Sequence, residues 1–87
     1  MTLVLIVDDA KVFREPVAMA LSKRGYRTRT ACDGEEGIEA LRQEPADLVL
    51  LDIRMPGTDG FHFLEAVRAD PKLAGASVIA VTGSADK

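Results

Sequence analysis

Three short apolar runs stand out along the chain, and each one stops at a polar residue. They are rich in Val, Ile and Leu and comprise Leu3–Val7, Leu48–Leu51 and Val78–Val81. Runs of this kind are typical of strands that are buried on both faces of a sheet. A more polar segment, Tyr26–Ala31, carries aromatic and β-branched residues and predicts a further strand nearer an edge. The pattern therefore predicts four strands.

Segments with helical spacing separate these strands. The first helix is indicated by the apolar residues Val12, Phe13, Val17, Ala20 and Leu21. Gly25 is placed to end this helix. Pro16 is tolerated if the helix begins near Val12 or Phe13, because the amides of a first turn lack partners in any case.

Two more helices follow, each with a recognisable boundary. Asp33 and Glu36 form an N-cap and a capping-box partner, and the helix that they open ends before Pro45. A loop rich in Pro and Gly precedes the next helix, which begins at Phe61 and stops at Asp70–Pro71. Strands that alternate with short helices imply right-handed crossovers, and hence an α/β fold with a mostly parallel sheet and helices on both faces.

Composition narrows the class of protein. The chain has 87 residues, a formal net charge of -3 and a hydrophobic content of 47%, which suits one ordinary globular domain. The basic residues are scattered, so we expect no nucleic-acid surface. No apolar run approaches the ~18 residues that a membrane span needs, so we expect no membrane partner. The single cysteine, Cys32, and the absence of a signal segment after Met1 suit the cytoplasm.

Candidate chemistry lies at the strand ends. Asp8 and Asp9 follow the first strand, Asp52 the third and Thr82 the fourth. In a parallel sheet these ends share one rim, where ligands bind. One Asp after a strand is most often a turn former or helix cap. Two strands that end in acids, one of them in a doublet, favour a site instead.

Carboxylates that lie together must share a proton or bind a cation, since two charges about 4 Å apart repel by roughly 4 kcal/mol at a dielectric of 20. Mg²⁺ suits one or two carboxylates, waters and a phosphate oxygen. With the charge neutralised, a carboxylate can attack a phosphoryl group and form an acyl phosphate. Thr82 could then donate a hydrogen bond to a phosphate oxygen.

Three segments in order resemble the receiver domains of bacterial response regulators, which act in two-component signal transduction. They are Val4–Asp9 (VLIVDD), Leu48–Gly60 (LVLLDIRMPGTDG) and Val78–Gly83 (VIAVTG). The resemblance covers nearly the whole chain and implies a flavodoxin-like, doubly wound parallel sheet. The implied strand order is 2-1-3-4, without the family's fifth strand and last two helices.

The resemblance also implies roles for single residues. Asp52 is similar to the phosphoacceptor, which receives its phosphoryl group from a histidine kinase or a histidine phosphotransfer protein. Asp9 corresponds to the direct Mg²⁺ ligand, and Asp8 to an acid that acts largely through water. Arg54 stands where a backbone carbonyl completes the metal site and where the side chain tunes dephosphorylation. Thr82 matches the hydroxyl residue that moves toward the phosphoryl group.

Two further positions match residues that modulate turnover. Gly83 stands where a small residue leaves room for attack, and Ser84 at a second modulating position. The resemblance implies a phosphoacceptor and not an enzyme, with at most autocatalytic phosphotransfer and self-dephosphorylation.

The chain departs from the family pattern at its end. We expect residues 1–87 to form one receiver domain, truncated before the family's fifth strand and its lysine. Lys87 does not match that lysine, because no strand precedes it in the right place. We expect phosphorylation to be impaired for this reason. We also expect two copies to associate, because Val78–Val81 would be an apolar edge with unpaired backbone groups.

Two alternatives stay open. A receiver-like module could signal by dimerisation without phosphotransfer, and the binding of Mg²⁺ with a phosphate mimic at Asp9 and Asp52 would distinguish it. A metal-dependent phosphohydrolase also uses an aspartate nucleophile. It would need a second acid two residues later, where this chain has Arg54.

Overall fold

Strands and helices alternate along the chain. A computed structural model describes residues 2–52 and 60–81. Within these residues the elements are β1 (Leu3–Val7), α1 (Lys11–Lys23), β2 (Arg27–Ala31), α2 (Gly34–Gln43), β3 (Leu48–Asp52), α3 (Gly60–Ala69) and β4 (Ser77–Val81). The strands form a parallel sheet in the order β2-β1-β3-β4. The predicted α/β class and the 2-1-3-4 order are confirmed.

The register of the sheet brings the ends of β1 and β3 level. Val4 pairs with Leu48, and Val7 pairs with Leu51. The residue after each of these last partners is an aspartate, at positions 8 and 52. Because the strands run in the same direction, both aspartates lie at one edge of the sheet.

The main core lies on one face of the sheet. It combines alternate residues of β1 and β3 with side chains from α2, α3 and the turn after α3, and its members are Leu3, Leu5, Val7, Ala31, Ala40, Leu41, Ala46, Val49, Leu51, Phe63, Val67 and Leu73. α1 lies against the other face, where Val17 shares a cleft with Ile6 and Leu50. Helices therefore cover both faces, as the alternating pattern predicts. None of the α1 residues is fully buried.

The start of α1 differs from the expectation. The helix begins at Lys11, which places Pro16 beyond the first turn. The carbonyl of Val12 therefore lacks its helical amide donor, since a proline at i+4 has no N–H. Val12 is 72% exposed, so water can reach this end of the helix. At the other end, Gly25 adopts a φ of +95°, the left-handed conformation that glycine tolerates best.

The start of α2 shows the predicted N-cap with one difference. The backbone N–H of Glu36 donates to Asp33 Oδ1 at 2.7 Å, as expected for a cap. The Glu36 carboxylate accepts from the backbone N–H of Cys32 at 2.9 Å, one residue before the N-cap. The reciprocal bond of the capping box is thus displaced by one residue.

The longest described helix, α1, has 13 residues. Among the described residues, no helix is long and apolar enough to cross a membrane.

Candidate functional site

Three carboxylates meet beyond the carboxyl ends of β1 and β3. One oxygen from each of Asp8, Asp9 and Asp52 lies within 4.8 Å of the others. Asp8 and Asp52 are half-buried, whereas Asp9 is exposed. The structure therefore brings together the three acids that the strand ends indicated.

Asp8 is held by hydrogen bonds from both its backbone and its side chain. Its N–H donates to the Ala31 carbonyl at 3.0 Å. Its own carbonyl accepts from Arg14 Nη1 at 2.8 Å, and its carboxylate Oδ1 accepts from the Ala10 N–H at 2.9 Å. The turn between β1 and α1 is thus fixed at its first residue.

The electrostatics of the site appear in the pKa of Asp8. Burial raises this pKa above its ordinary value of 3.8, and the hydrogen bond from Ala10 opposes the rise. The charges of Asp52 and Asp9, and a hydrogen bond between the side chains of Asp8 and Asp52, raise the pKa further. The fold therefore disfavours a fully ionised, uncompensated cluster, which a proton or a cation would relieve.

The floor of the site is apolar. Ile6, Val17 and Leu50 line a cleft of about 100 Å³ together with Asp8 and Asp52. These side chains exclude water from one side of the carboxylates, which explains the partial burial of both acids. A larger groove of about 290 Å³ lies at the amino ends of β3 and β4, next to Asp47, and contains none of the three acids.

Several predicted site residues cannot be placed. Arg54, Thr82, Gly83 and Ser84 lie outside the described residues, so their roles stay predictions. Sequence reasoning missed Arg14, whose side chain folds back from α1 onto the strand end. The sequence carries no signal for this contact, because Arg14 is six residues from Asp8 and has the spacing of an ordinary polar helix residue.

Comparisons with known proteins agree with this arrangement. A family model described as the response regulator receiver domain matches residues 4–87. Protein PilH of Pseudomonas aeruginosa is 37% identical over 82 residues, which cover 94% of this chain and 68% of PilH. The transcriptional regulatory protein AfsQ1 of Streptomyces coelicolor is 35% identical over 69 residues, which cover 79% of this chain and 31% of AfsQ1.

Solved structures give the same result. The N-terminal domain of a response regulator receiver protein from Methanoculleus marisnigri superposes with a TM-score of 0.91 at 40% identity. The match covers 94% of this chain and 67% of that one. Together with a family match that runs from β1 to the end of the sequence, this likeness shows that the chain belongs to the response regulator receiver domains of two-component systems.

Proposed function

We propose that this domain accepts a phosphoryl group on Asp52 from a histidine kinase or a histidine phosphotransfer protein. The observation that supports the proposal is the approach of three carboxylate oxygens, from Asp8, Asp9 and Asp52, to within 4.8 Å of one another. Such a cluster favours a bound cation, and a phosphoryl group brings oxygens that can share that cation. The domain would act as a phosphoacceptor and not as an enzyme.

The donor set fits Mg²⁺. The three side chains offer oxygen atoms, which this hard cation prefers, and the exposed Asp9 leaves room for water ligands. The raised pKa of Asp8, caused first by burial, indicates a carboxylate that a cation would stabilise. Asp9 would hold the ion directly, Asp8 through water and Asp52 with one oxygen, while the carbonyl of Arg54 is the fourth donor that the resemblance implies. When bound, the ion would supply positive charge for the carboxylates and a phosphoryl oxygen.

The reaction would take place at the Asp52 carboxylate. One of its oxygens attacks the phosphorus of the donor phosphohistidine, so that an O–P bond forms and the N–P bond breaks. The imidazole leaves with the bonding electron pair and takes up a proton. Thr82 would donate a hydrogen bond to the transferred group. Hydrolysis of the acyl phosphate would then restore Asp52, with Arg54, Gly83 and Ser84 setting its rate.

Labelling with a small phosphodonor tests the proposal. The chain is incubated with Mg²⁺ and acetyl phosphate, and intact mass spectrometry measures whether one phosphoryl group is added. Asp52→Asn should gain none, whereas Asp70→Asn, a control on an acid outside the cluster, should behave as the wild type. Beryllofluoride with Mg²⁺, followed through amide chemical shifts, tests the same site when labelling is weak. A wild-type chain that neither gains a phosphoryl group nor binds the mimic would contradict the proposal.

A second candidate function is association of two copies through β4. This strand is the last in the sheet order within the described residues, and Ile79 on it is 50% exposed. An edge strand with an exposed apolar side chain is a template for pairing with another chain. Association without binding of the phosphate mimic would favour a dimerising module over a phosphoacceptor.

A further inference from the structure

We propose that Arg14 is a positioning residue for the acidic site, because its guanidinium sets the orientation of the peptide that joins Asp8 to Asp9. The inference rests on the proposed function, since it concerns how the carboxylates are arranged for a divalent cation. Arg14 touches neither a cation nor a phosphoryl group in this proposal. It acts through the backbone of the turn.

The first observation is a charge-assisted hydrogen bond. Arg14 Nη1 donates to the carbonyl oxygen of Asp8 at 2.8 Å, within the range of strong N⁺–H···O contacts. This carbonyl belongs to the peptide unit between Asp8 and Asp9. A rotation of that unit would move both side chains, so a donor that fixes it fixes two of the three carboxylates at once.

The second observation is that Arg14 holds the turn at two points. Its backbone N–H donates to the Ala10 carbonyl at 2.9 Å, at the start of α1. Its side chain reaches back six residues to Asp8, which precedes Ala10 by two residues. Arg14, which is half-buried, therefore links the end of β1 to the first turn of α1. Lysine could keep the charge here, but it lacks the planar donor geometry.

The third observation concerns the charge of Arg14. Among the described residues, the ion pairs within 4 Å are Arg27–Glu44 and Arg42–Asp70, and Arg14 takes part in neither. A positive charge beside a cation site would by itself weaken cation binding. Removal of Arg14 would then tighten Mg²⁺ binding if charge were its only influence. A positioning role predicts the opposite sign, and this difference makes the proposal testable.

The test measures the dissociation constant for Mg²⁺ at fixed pH and ionic strength, from amide shifts of residues 8–10 and 52. Arg14→Met should weaken binding about tenfold, the scale for loss of a residue that orients metal ligands. Arg14→Lys should recover only part of that loss. Arg42→Met, on the exposed face of α2, is the matched control and should bind as the wild type. Hydrogen exchange of the Ala10 amide in the metal-free protein should be faster in Arg14→Met.

Each outcome decides the question. Tighter binding by Arg14→Met would overturn positioning in favour of charge repulsion. Unchanged affinity with a lower melting temperature would show a structural role only and would also overturn it. If the wild type itself binds no Mg²⁺, both the proposed function and this inference fail. If the wild type binds Mg²⁺ but the Arg14 variants do not show the expected loss of affinity, only this inference fails. If Arg14→Met does not fold, Arg14→Lys and Arg14→Gln carry the same comparison.

Discussion

At Gly37 a single added methyl group should damage the core. A Cβ atom added there would lie 2.9 Å from Cε1 of Phe63 and 3.0 Å from Cγ2 of Val7. Both neighbours are 0% exposed, so neither side chain has free space to move into. Gly37→Ala therefore forces α2 away from α3 and β1, or forces these side chains out of their preferred rotamers.

The change in the free energy of unfolding of Gly37→Ala follows from two opposing effects. Alanine stabilises a helix interior by about 1 kcal/mol relative to glycine. Overpacking of a close-packed core costs about 1–3 kcal/mol, and the two contacts at Gly37 place this case in the upper part of that range. We therefore expect a net loss of about 1–2 kcal/mol in the free energy of unfolding. In a chain of this size, each kcal/mol lowers the melting temperature by about 4–8 °C.

Urea denaturation followed by circular dichroism measures this loss. Gly75→Ala is the matched control, because a Cβ at Gly75 meets nothing within 4 Å, and it should leave stability nearly unchanged. A second variant, Phe63→Leu, removes the ring atom that clashes, so Gly37→Ala should cost less in that background. If Gly37→Ala were as stable as the wild type, or more stable, the close packing of α2 against Phe63 would be wrong.

Three further predictions follow from the strand ends and the sheet edge. Because burial raises the pKa of Asp8, its neutral form stabilises the fold below the ordinary value of 3.8, and this contribution is lost as the pH rises through the raised value. In metal-free buffer at neutral pH, the free energy of unfolding of Asp8→Asn should thus be higher than that of the wild type, by about 1 kcal/mol once solvent screening is taken into account. Urea denaturation measures this difference, which should disappear below pH 3.8. Asp47→Ala should cost about 1–2 kcal/mol, because the buried Leu3 amide loses its 2.9 Å bond to Asp47 Oδ2, whereas Asp47→Asn should keep most of the stability in the same assay. Ile79→Lys should reduce association of the chain in multi-angle light scattering, and a wild type that stays monomeric at high concentration would contradict this.

The sequence predicts the strands better than the helix ends. β1 spans the residues of its apolar run, and β3 extends that prediction by one residue, to Asp52. In a small domain a continuous apolar run is buried as a strand, so the ends of the run in the sequence mark the ends of the strand. The start of α1 is harder to predict, because Lys11 and Val12 lie in its exposed first turn. Exposed residues leave no apolar pattern in the sequence that would mark the first residue of the helix.

The contacts of Gly37 and Arg14 could not be read from the sequence. Gly37 must be small because Phe63, from another helix, packs against it, and that neighbour is set by the tertiary fold. Arg14 has the spacing of an ordinary polar helix residue, and its bond to Asp8 depends on how the chain turns between β1 and α1. Local sequence patterns predict helices, strands and strand ends. These two contacts depend instead on how the helices and strands pack against one another in the tertiary fold.

The acidic site itself is a consequence of the core pattern. Val49 and Leu51 are buried in the main core, so the alternation of β3 directs Asp52 to the opposite face, beside Asp8. A shift of one residue in register would separate the acids but would also expose the core side chains. Burial of Val49 and Leu51 stabilises the fold by about 1.5–3 kcal/mol each. The same shift would relieve the repulsion of Asp52 with both Asp8 and Asp9, which is between about 1 and 3 kcal/mol for each pair about 5 Å apart at the surface. Apolar burial is therefore large enough to offset the repulsion, and the register keeps the carboxylates together.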